Sequence, residues 1–318
     1  MKKIRDNAIL RNSFSALLII ITLIWISFLI YNEKDKVCLQ FSEIKWSGFY
    51  YMIFFGSLAT FTNAAIFNTI LKVNLKKNIN FFYSSSLLFV GQMIRHLPGR
   101  FWGVVYQINA VREKISALEM IKINYDFMII SAGLTIVIPT SVIFYSFKPI
   151  LGISFFFISI VLLTYSLKKN IHIIIIQKSI NILPFTNIKL IDKIQPINSY
   201  SFLEIISALC WGGLGWIFYF IGWKFLGFTF ESFSYINLYL LCAIYSIAWL
   251  IGFLSIITPS GIGVREMAFI LLTPEFGNTN MAIIAVIIRL WLLIDDIVLS
   301  VIFFLLYYLK IRNKNEEI

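Results

Sequence analysis

The sequence has few charged residues and few of the side chains that bind metal ions. Only 14% of its 318 residues are charged, whereas a soluble domain has about 25%. It contains two histidines and three scattered cysteines, so we expect no metal site and no cofactor, and we interpret the cysteines as packing residues. Acidic residues are also scarce, at 16 against 27 basic residues. This composition excludes an ordinary soluble enzyme.

Hydrophobic residues make up 59% of the chain, and they occur in long runs. A membrane-spanning helix needs about 20 apolar residues, so the length allows about eight spans with short loops. We therefore predict an all-α, polytopic integral membrane protein that forms one transmembrane domain over 1–318, without a soluble catalytic domain. The apolar runs are 13–31, 48–71, 123–147, 149–167, 202–226, 235–257 and 281–309.

The basic excess gives a formal net charge of +11. In a membrane protein such charge keeps loops in the cytoplasm and contacts anionic lipid, so we expect no nucleic-acid partner. Lysines and arginines are frequent before residue 13, in the loop 168–200 and after residue 309. Both termini and this loop are therefore predicted to be cytoplasmic.

One interrupted segment lies at 81–111. It begins apolar and then contains three basic side chains and a Pro-Gly pair, which are Arg95, His96, Pro98, Gly99 and Arg100. Broken backbone at membrane depth must be enclosed by protein or line a wet cavity. We therefore predict two half-helices that enter and leave from the cytoplasmic side.

A second interrupted segment, 258–266, follows the run 235–257. It contains a proline, two glycines and an adjacent basic and acidic residue, which are Pro259, Gly261, Gly263, Arg265 and Glu266. Buried ionisable residues are costly in a membrane and commonly functional. This segment either completes a crossing, which places 273–280 outside, or returns like the first. The glycine-rich stretch 211–216 indicates either a close helix contact or a break that lines a ligand site.

The two interrupted segments resemble each other, which indicates an internal repeat. Gly91 precedes Pro98 by the same spacing as Gly252 precedes Pro259. A Gly-Val pair follows in each segment, at Gly103 and at Gly263. Corresponding Gly/Pro-interrupted segments in two halves are typical of a transporter site between repeats.

The Leu97-Pro98-Gly99 element and the Pro259–Glu266 element together resemble the lysylphosphatidylglycerol synthase transmembrane-region family of flippase-like membrane proteins. An Arg289-Leu290 pair in the last span also fits that family. The sequence departs from the family at Arg100 and the aromatic residues after it, where the family often has a smaller element of a basic residue and a glycine. The resemblance covers about residues 10 to 310. It implies a multi-pass protein of the bacterial inner (plasma) membrane with about eight spans and broken helices.

The function that this resemblance implies is lipid transport, meaning that the protein handles a phospholipid or a polyprenyl-linked lipid with a phosphate-bearing head group. The chain carries no soluble aminoacyltransferase domain, so we do not expect an enzyme. The alternatives are a polytopic glycosyltransferase or acyltransferase, against which the short outer loops count, and a scaffold for a neighbouring envelope-biosynthesis enzyme.

Six side chains are candidates for binding the head group. They are Arg95, His96, Arg100, Arg265, Glu266 and Arg289. Arginine binds phosphate with two parallel hydrogen bonds, and a helix N-terminus also favours an anion. We expect Glu266 to pair with Arg289 or with Arg95. The alternative for this set is a structural ion-pair network, or arginines that extend to the inner membrane face.

Two carboxylates are candidates for a charge relay. Arg289 and Asp296 are seven residues apart in an apolar run and share a helix face, with Asp295 offset. Asp126 lies just inside the span 123–147, where the alternative is a cap or a surface residue. We expect Arg289 and Asp296 to compensate each other's charge or to move a proton or cation.

Overall fold

The computed structural model describes residues 45–75, 79–94, 102–111, 115–168, 200–229, 237–255 and 263–316, together with Tyr31 and Gly261. These residues form helices and no strand. The helices are α1 Trp46–Leu75, α2 Phe81–Ile94, α3 Trp102–Val111, α4 Ala117–Phe147, α5 Pro149–Lys168, α6 Phe202–Thr229, α7 Leu238–Leu254, α8 Val264–Leu272 and α9 Asn278–Glu316. A short 3-10 helix, Pro274–Phe276, joins α8 to α9.

Four helices, α1, α4, α5 and α6, are long and apolar enough to cross a membrane. Helix α5 buries only 11% of its most apolar stretch inside the protein, and large side chains such as Ile150 and Phe157 point outward. An outer surface of this kind suits lipid tails and not water. The predicted all-α architecture of a polytopic membrane protein is therefore confirmed, while the predicted first span, 13–31, lies outside the described residues.

Helices α1 and α6 pack together along most of their length, and they run in opposite directions. A Cβ on Gly48, at the start of α1, would lie 2.7 Å from Oγ1 of Thr229 at the end of α6. Further along the pair, Gly215 of α6 lies directly against Thr62 of α1. Glycines let two helix backbones approach closely in a membrane, where packing and not the hydrophobic effect holds helices together. The stretch 211–216 is therefore a close helix contact.

The first interrupted segment is a helical hairpin. A Cβ on Gly103 in α3 would collide with the carbonyl oxygen of Gly91 in α2. Along the same pair of helices, Gln107 Nε2 donates to the carbonyl of Leu87 over 3.1 Å. The residue numbers of the contacting residues increase along α3 and decrease along α2, so the two helices are antiparallel. Helix α3 therefore returns alongside α2, as predicted for two half-helices.

The second interrupted segment is also a helical hairpin. A Cβ on Gly261 would lie 2.7 Å from the carbonyl oxygen of Gly252. The rings of Tyr245 and Phe269 lie 5.2 Å apart, which places α8 beside α7 for its whole length. Both interrupted segments therefore form helical hairpins in the part of the chain that the structure describes.

The hairpins belong to two structural units, α1–α4 and α6–α9, that pack in the same way. Each hairpin contacts the first helix of its own unit and the last helix of the other unit: α2 packs on α1 and α9, and α7 packs on α6 and α4. The returning half-helices α3 and α8 each pack on the next helix, α4 and α9. The equivalent helices α1 and α6 are antiparallel, so the repeat is inverted.

The inverted repeat brings the two hairpins in from opposite ends of the helix bundle. Helix α2 begins beside the end of α1, where Ser84 Oγ donates to Asn68 Oδ1 over 3.0 Å. Helix α7 begins beside the later part of α6, where the rings of Tyr239 and Phe220 are 6.1 Å apart. Because α1 and α6 are antiparallel, these two ends face opposite sides.

Two neighbouring glycines of α6 provide a test of the α1–α6 contact. We expect Gly215→Ala to lower the unfolding free energy by about 1–3 kcal/mol, the usual cost of overpacking, because its Cβ would collide with Thr62. Gly213→Ala is the matched control, since no atom lies within 4 Å of its added Cβ. Thermal unfolding in detergent measures both. Equal midpoints for the two variants would contradict the packing described.

Candidate functional site

The charged part of the second hairpin starts at the N-terminus of α8. Gly261 and Gly263 precede this helix with φ angles of +68° and +86°, a backbone region that side chains other than glycine rarely adopt. Glu266, in the first turn of α8, accepts a hydrogen bond from the Gly263 N–H through Oε2 over 2.7 Å. The carboxylate therefore satisfies one of the backbone donors that a helix start leaves open.

The other carboxylate oxygen of Glu266 binds the last long helix. Its Oε1 accepts from Nη1 of Arg289 on α9 over 2.6 Å. Of the two predicted pairings, the pairing with Arg289 is confirmed, whereas Arg95 lies outside the described residues. Glu266 is only 3% exposed, while 25% of the Arg289 side chain remains accessible. The pair thus joins a buried anion to a cation that reaches the surface.

Arg265, the residue before Glu266, faces α7. Its guanidinium carbon lies 6.0 Å from the ring centroid of Trp249, at the outer limit of a cation–π contact. Its Cβ would be 3.0 Å from a Cβ on Gly252, so Gly252 makes room for it. Adjacent residues on a helix point about 100° apart, which is why Arg265 and Glu266 face different helices.

Most predicted residues of the first break lie outside the described part of the chain, namely Arg95, His96, Pro98, Gly99 and Arg100; Pro259 of the second break does too. Within the described part, Gly103 closes the first hairpin, as given above. Beyond it, Asn124 Nδ2 of α4 donates to Gln107 Oε1 of α3 over 2.6 Å. The sequence interpretation missed this pair, although an amide in an apolar helix is a usable signal.

The Gln107–Asn124 pair and the Glu266–Arg289 pair join corresponding pairs of helices in the inverted repeat. Each joins a returning half-helix to the helix that follows it, α3 to α4 and α8 to α9. The first pair is neutral and the second is charged. The two halves therefore share one architecture and differ in chemistry at this contact.

Asp126 is buried, so the interpretation as a cap or surface residue is wrong. It is 1% exposed, and its Oδ2 accepts from Tyr200 Oη over 2.7 Å and from Asn74 Nδ2 over 3.5 Å. Burial and the neighbouring Asp126 carboxylate raise the pKa of the Tyr200 hydroxyl above its usual range, so the hydroxyl stays protonated and donates. This cluster joins α1, α4 and the start of α6, away from the Glu266–Arg289 pair.

The acidic pair of α9 lies in the interior. Asp296 is 8% exposed, and the neighbouring Asp295, which the sequence interpretation set aside, is fully buried. Asp295 Oδ1 accepts a hydrogen bond from Ser57 Oγ of α1 over 2.8 Å. This contact joins residues 238 positions apart, so periodicity within α9 gave no sign of it. Among the described residues, no three His, Cys, Asp or Glu side chains are grouped to hold a metal ion.

A double-mutant cycle tests the Glu266–Arg289 pair. We expect Arg289→Gln to cost about 3–5 kcal/mol of unfolding free energy, because it leaves the buried Glu266 charge without its counter-ion. The double variant Glu266→Gln/Arg289→Gln should lose less than Arg289→Gln alone. Unfolding in detergent measures the cycle, and Lys148→Gln, which removes an exposed charge between α4 and α5, is the control. Strictly additive costs would show that the two side chains do not interact.

No family model, no curated protein and no solved structure matches the chain. The family resemblance in the two interrupted segments thus remains a prediction. Function has to be argued from the chemistry of the residues described above.

Proposed function

We propose that this chain is a flippase-like membrane protein that binds a phosphate-bearing lipid head group at the second hairpin and passes it across the membrane. The observation that carries the proposal is the Glu266–Arg289 pair, which places charge on a returning half-helix inside an apolar helix bundle. Arg265, on the same half-helix, adds a second cation. The three side chains together carry one net positive charge.

A comparison of the two hairpins supports a function for the Glu266–Arg289 charges beyond stabilising the second hairpin. In the first hairpin, the neutral Gln107–Asn124 pair joins the half-helix to the next helix. A buried ion pair costs more desolvation than a neutral pair and often stabilises a fold no better than apolar packing does. The charged pair between α8 and α9 is therefore not required to hold the hairpin in place, and binding of an anionic ligand explains its presence.

The chemistry of the arginines suits a phosphate. A guanidinium carries five N–H donors in a planar fork, and Arg289 uses Nη1 for Glu266. The accessible part of its side chain can thus donate to a phosphate while the ion pair remains. Glu266 also stays satisfied, because its second oxygen accepts from Gly263. The lipid tails would remain among the lipids that face the outward apolar side chains.

The architecture also suits transfer between leaflets. Interrupted helices in two inverted halves are typical of transporters, in which the substrate binds between the halves. Two hairpins that enter from opposite ends each interrupt half of the bundle. A head group at the second hairpin would then have only part of the membrane left to cross.

The finer features of the proposal are supported by the sequence alone. They are an inner-membrane location, cytoplasmic termini, and membership of the lysylphosphatidylglycerol synthase transmembrane-region family. The ligand class is a phospholipid or a polyprenyl-linked lipid, and a neighbouring envelope-biosynthesis enzyme would supply or consume it. The basic excess of the chain supports the cytoplasmic termini.

Lipid transfer in reconstituted vesicles tests this function. The purified protein is placed in vesicles with a fluorescent phospholipid, and a membrane-impermeant quencher reports how fast the label reaches the outer leaflet. We expect Arg265→Gln to slow transfer about 10-fold or more, because a hydrogen bond to a charged group contributes about 1.5–3 kcal/mol. We choose the Arg265→Gln substitution because it leaves both residues of the Glu266–Arg289 pair in place.

The control is Lys148→Gln, which removes one positive charge from an exposed turn and should transfer at the wild-type rate. Two outcomes would refute the proposal. One is wild-type transfer no faster than in protein-free vesicles across phosphate-bearing lipids. The other is an Arg265→Gln protein that is folded and transfers as fast as the Lys148→Gln protein.

A further inference from the structure

Asp295 is the buried carboxylate that the proposed head-group site does not use. It lies on α9 and is fully buried, in contact with the first half of α1. Gly56 of α1 faces it so closely that a Cβ there would collide with Oδ2 of Asp295 and with Nε1 of Trp291. The carboxyl group is therefore held between two tightly packed helices.

The two oxygens of Asp295 have different surroundings. Oδ1 accepts a hydrogen bond from Ser57 Oγ over 2.8 Å, whereas Oδ2 makes no hydrogen bond to any residue that the structure describes. Trp291 Nε1 faces the same glycine beside Oδ2. A carboxylate that is buried with one bare oxygen loses far more hydration than a single serine returns. A neutral carboxylic acid, with Oδ1 as the carbonyl and Oδ2 as the hydroxyl, fits these surroundings.

No cation in the described residues compensates a charge on Asp295. Asp296 lies next to it on α9 and would add a like charge, and Arg289 on the same helix is bound to Glu266. The elements packed on α9 bring few other ionisable groups. They are Tyr50 and Tyr51 at the start of α1, Lys72 at its far end, Tyr83 at the start of α2, Arg265 and Glu266 in α8, Glu275 in the 3-10 helix, and Tyr219 of α6, whose ring stacks on Trp291.

We propose that Asp295 is a proton-binding site that couples proton movement to the opening of the α1–α9 contact. In the packed state the Oδ2 atom carries a proton, and the Ser57 hydroxyl donates to Oδ1. When the contact opens to water, the acid releases one proton and becomes a carboxylate; when it closes, the carboxylate takes one proton from water. No other bond in the protein forms or breaks in this step.

Asp295 lies on α9 between the contacts that this helix makes with the two hairpins, so a change in its protonation would affect both contacts. Going along α9, Arg289 binds Glu266 of the second hairpin, Asp295 binds Ser57 of α1, and Ser300 donates to the Phe89 carbonyl of the first hairpin over 2.7 Å. A charge that appears between these contacts would loosen the helix that holds both hairpins. The coupling to transfer rests on the proposed function, whereas proton binding at Asp295 does not.

Infrared spectroscopy of the full-length protein in lipid nanodiscs tests proton binding directly. At neutral pH we expect a carbonyl-stretch band of an un-ionised carboxyl group that shifts in heavy water. The band should be missing from Asp295→Asn and present in Asp296→Asn. Identical carboxyl bands in wild type and Asp295→Asn, or a band that disappears in Asp296→Asn, would overturn the assignment.

A second variant covers the case in which Asp295→Asn does not fold. Ser57→Ala removes the hydrogen bond to Oδ1, so the band should move to higher frequency without being lost. An unshifted band in folded Ser57→Ala protein would equally overturn the proposal.

The coupling is tested by adding a pH gradient to the vesicle transfer measurement. We expect the wild-type rate to change with the gradient and this dependence to be lost in Asp295→Asn. A gradient dependence that persists in Asp295→Asn would refute the coupling. Absence of any transfer by the wild type would refute the proposed function, and the infrared result would still decide whether Asp295 binds a proton.

Discussion

The antiparallel contact between α1 and α6 is the constraint on which the rest of the structure depends. Gly48 and Gly215 let the two backbones approach closely, against Thr229 and Thr62. In a membrane this packing cannot rely on water to drive helices together, so small residues decide which faces meet. Since α1 and α6 are the first helices of the two units, their opposite directions make the repeat inverted and bring the hairpins in from opposite ends.

The hairpins have the same backbone arrangement and different chemistry. Glycines close both, Gly91 with Gly103 and Gly252 with Gly261. A neutral amide pair then fastens α3 to α4, whereas the ion pair between α8 and α9 fastens the second hairpin. The charge is confined to one hairpin in these contacts. This difference is the physical basis for the proposal that a head group binds in the second half, and α9 is the helix through which both halves would respond.

Much of this architecture could be predicted from the sequence, because its signals are local. The equal spacing from Gly91 to Pro98 and from Gly252 to Pro259 predicted the repeat, and adjacent charges in an apolar run predicted the site around Glu266. The direction of the chain after the second break was left open, because a Pro/Gly interruption does not determine whether a helix continues or returns. The hairpins were settled only by contacts between the half-helices.

Contacts between distant segments account for the rest of what the sequence did not show. The serine that binds Asp295 lies on α1, and the tyrosine that binds Asp126 precedes α6. Helical periodicity relates residues within one helix, so it favoured Asp296, which shares a face with Arg289, over Asp295. It likewise left the burial of Asp126 undetermined. Which carboxylate is buried depends on which helix packs against it.

The central claim is that the two hairpins enter the membrane from opposite sides, and cysteine accessibility measures this most directly. With Cys38, Cys210 and Cys242 replaced by serine, a single cysteine is placed at Asn80, just before α2, or at Asn237, just before α7; both positions are exposed. A membrane-impermeant thiol reagent should label one variant in intact cells and the other in inverted vesicles. Labelling of both variants from the same side would contradict the inverted repeat.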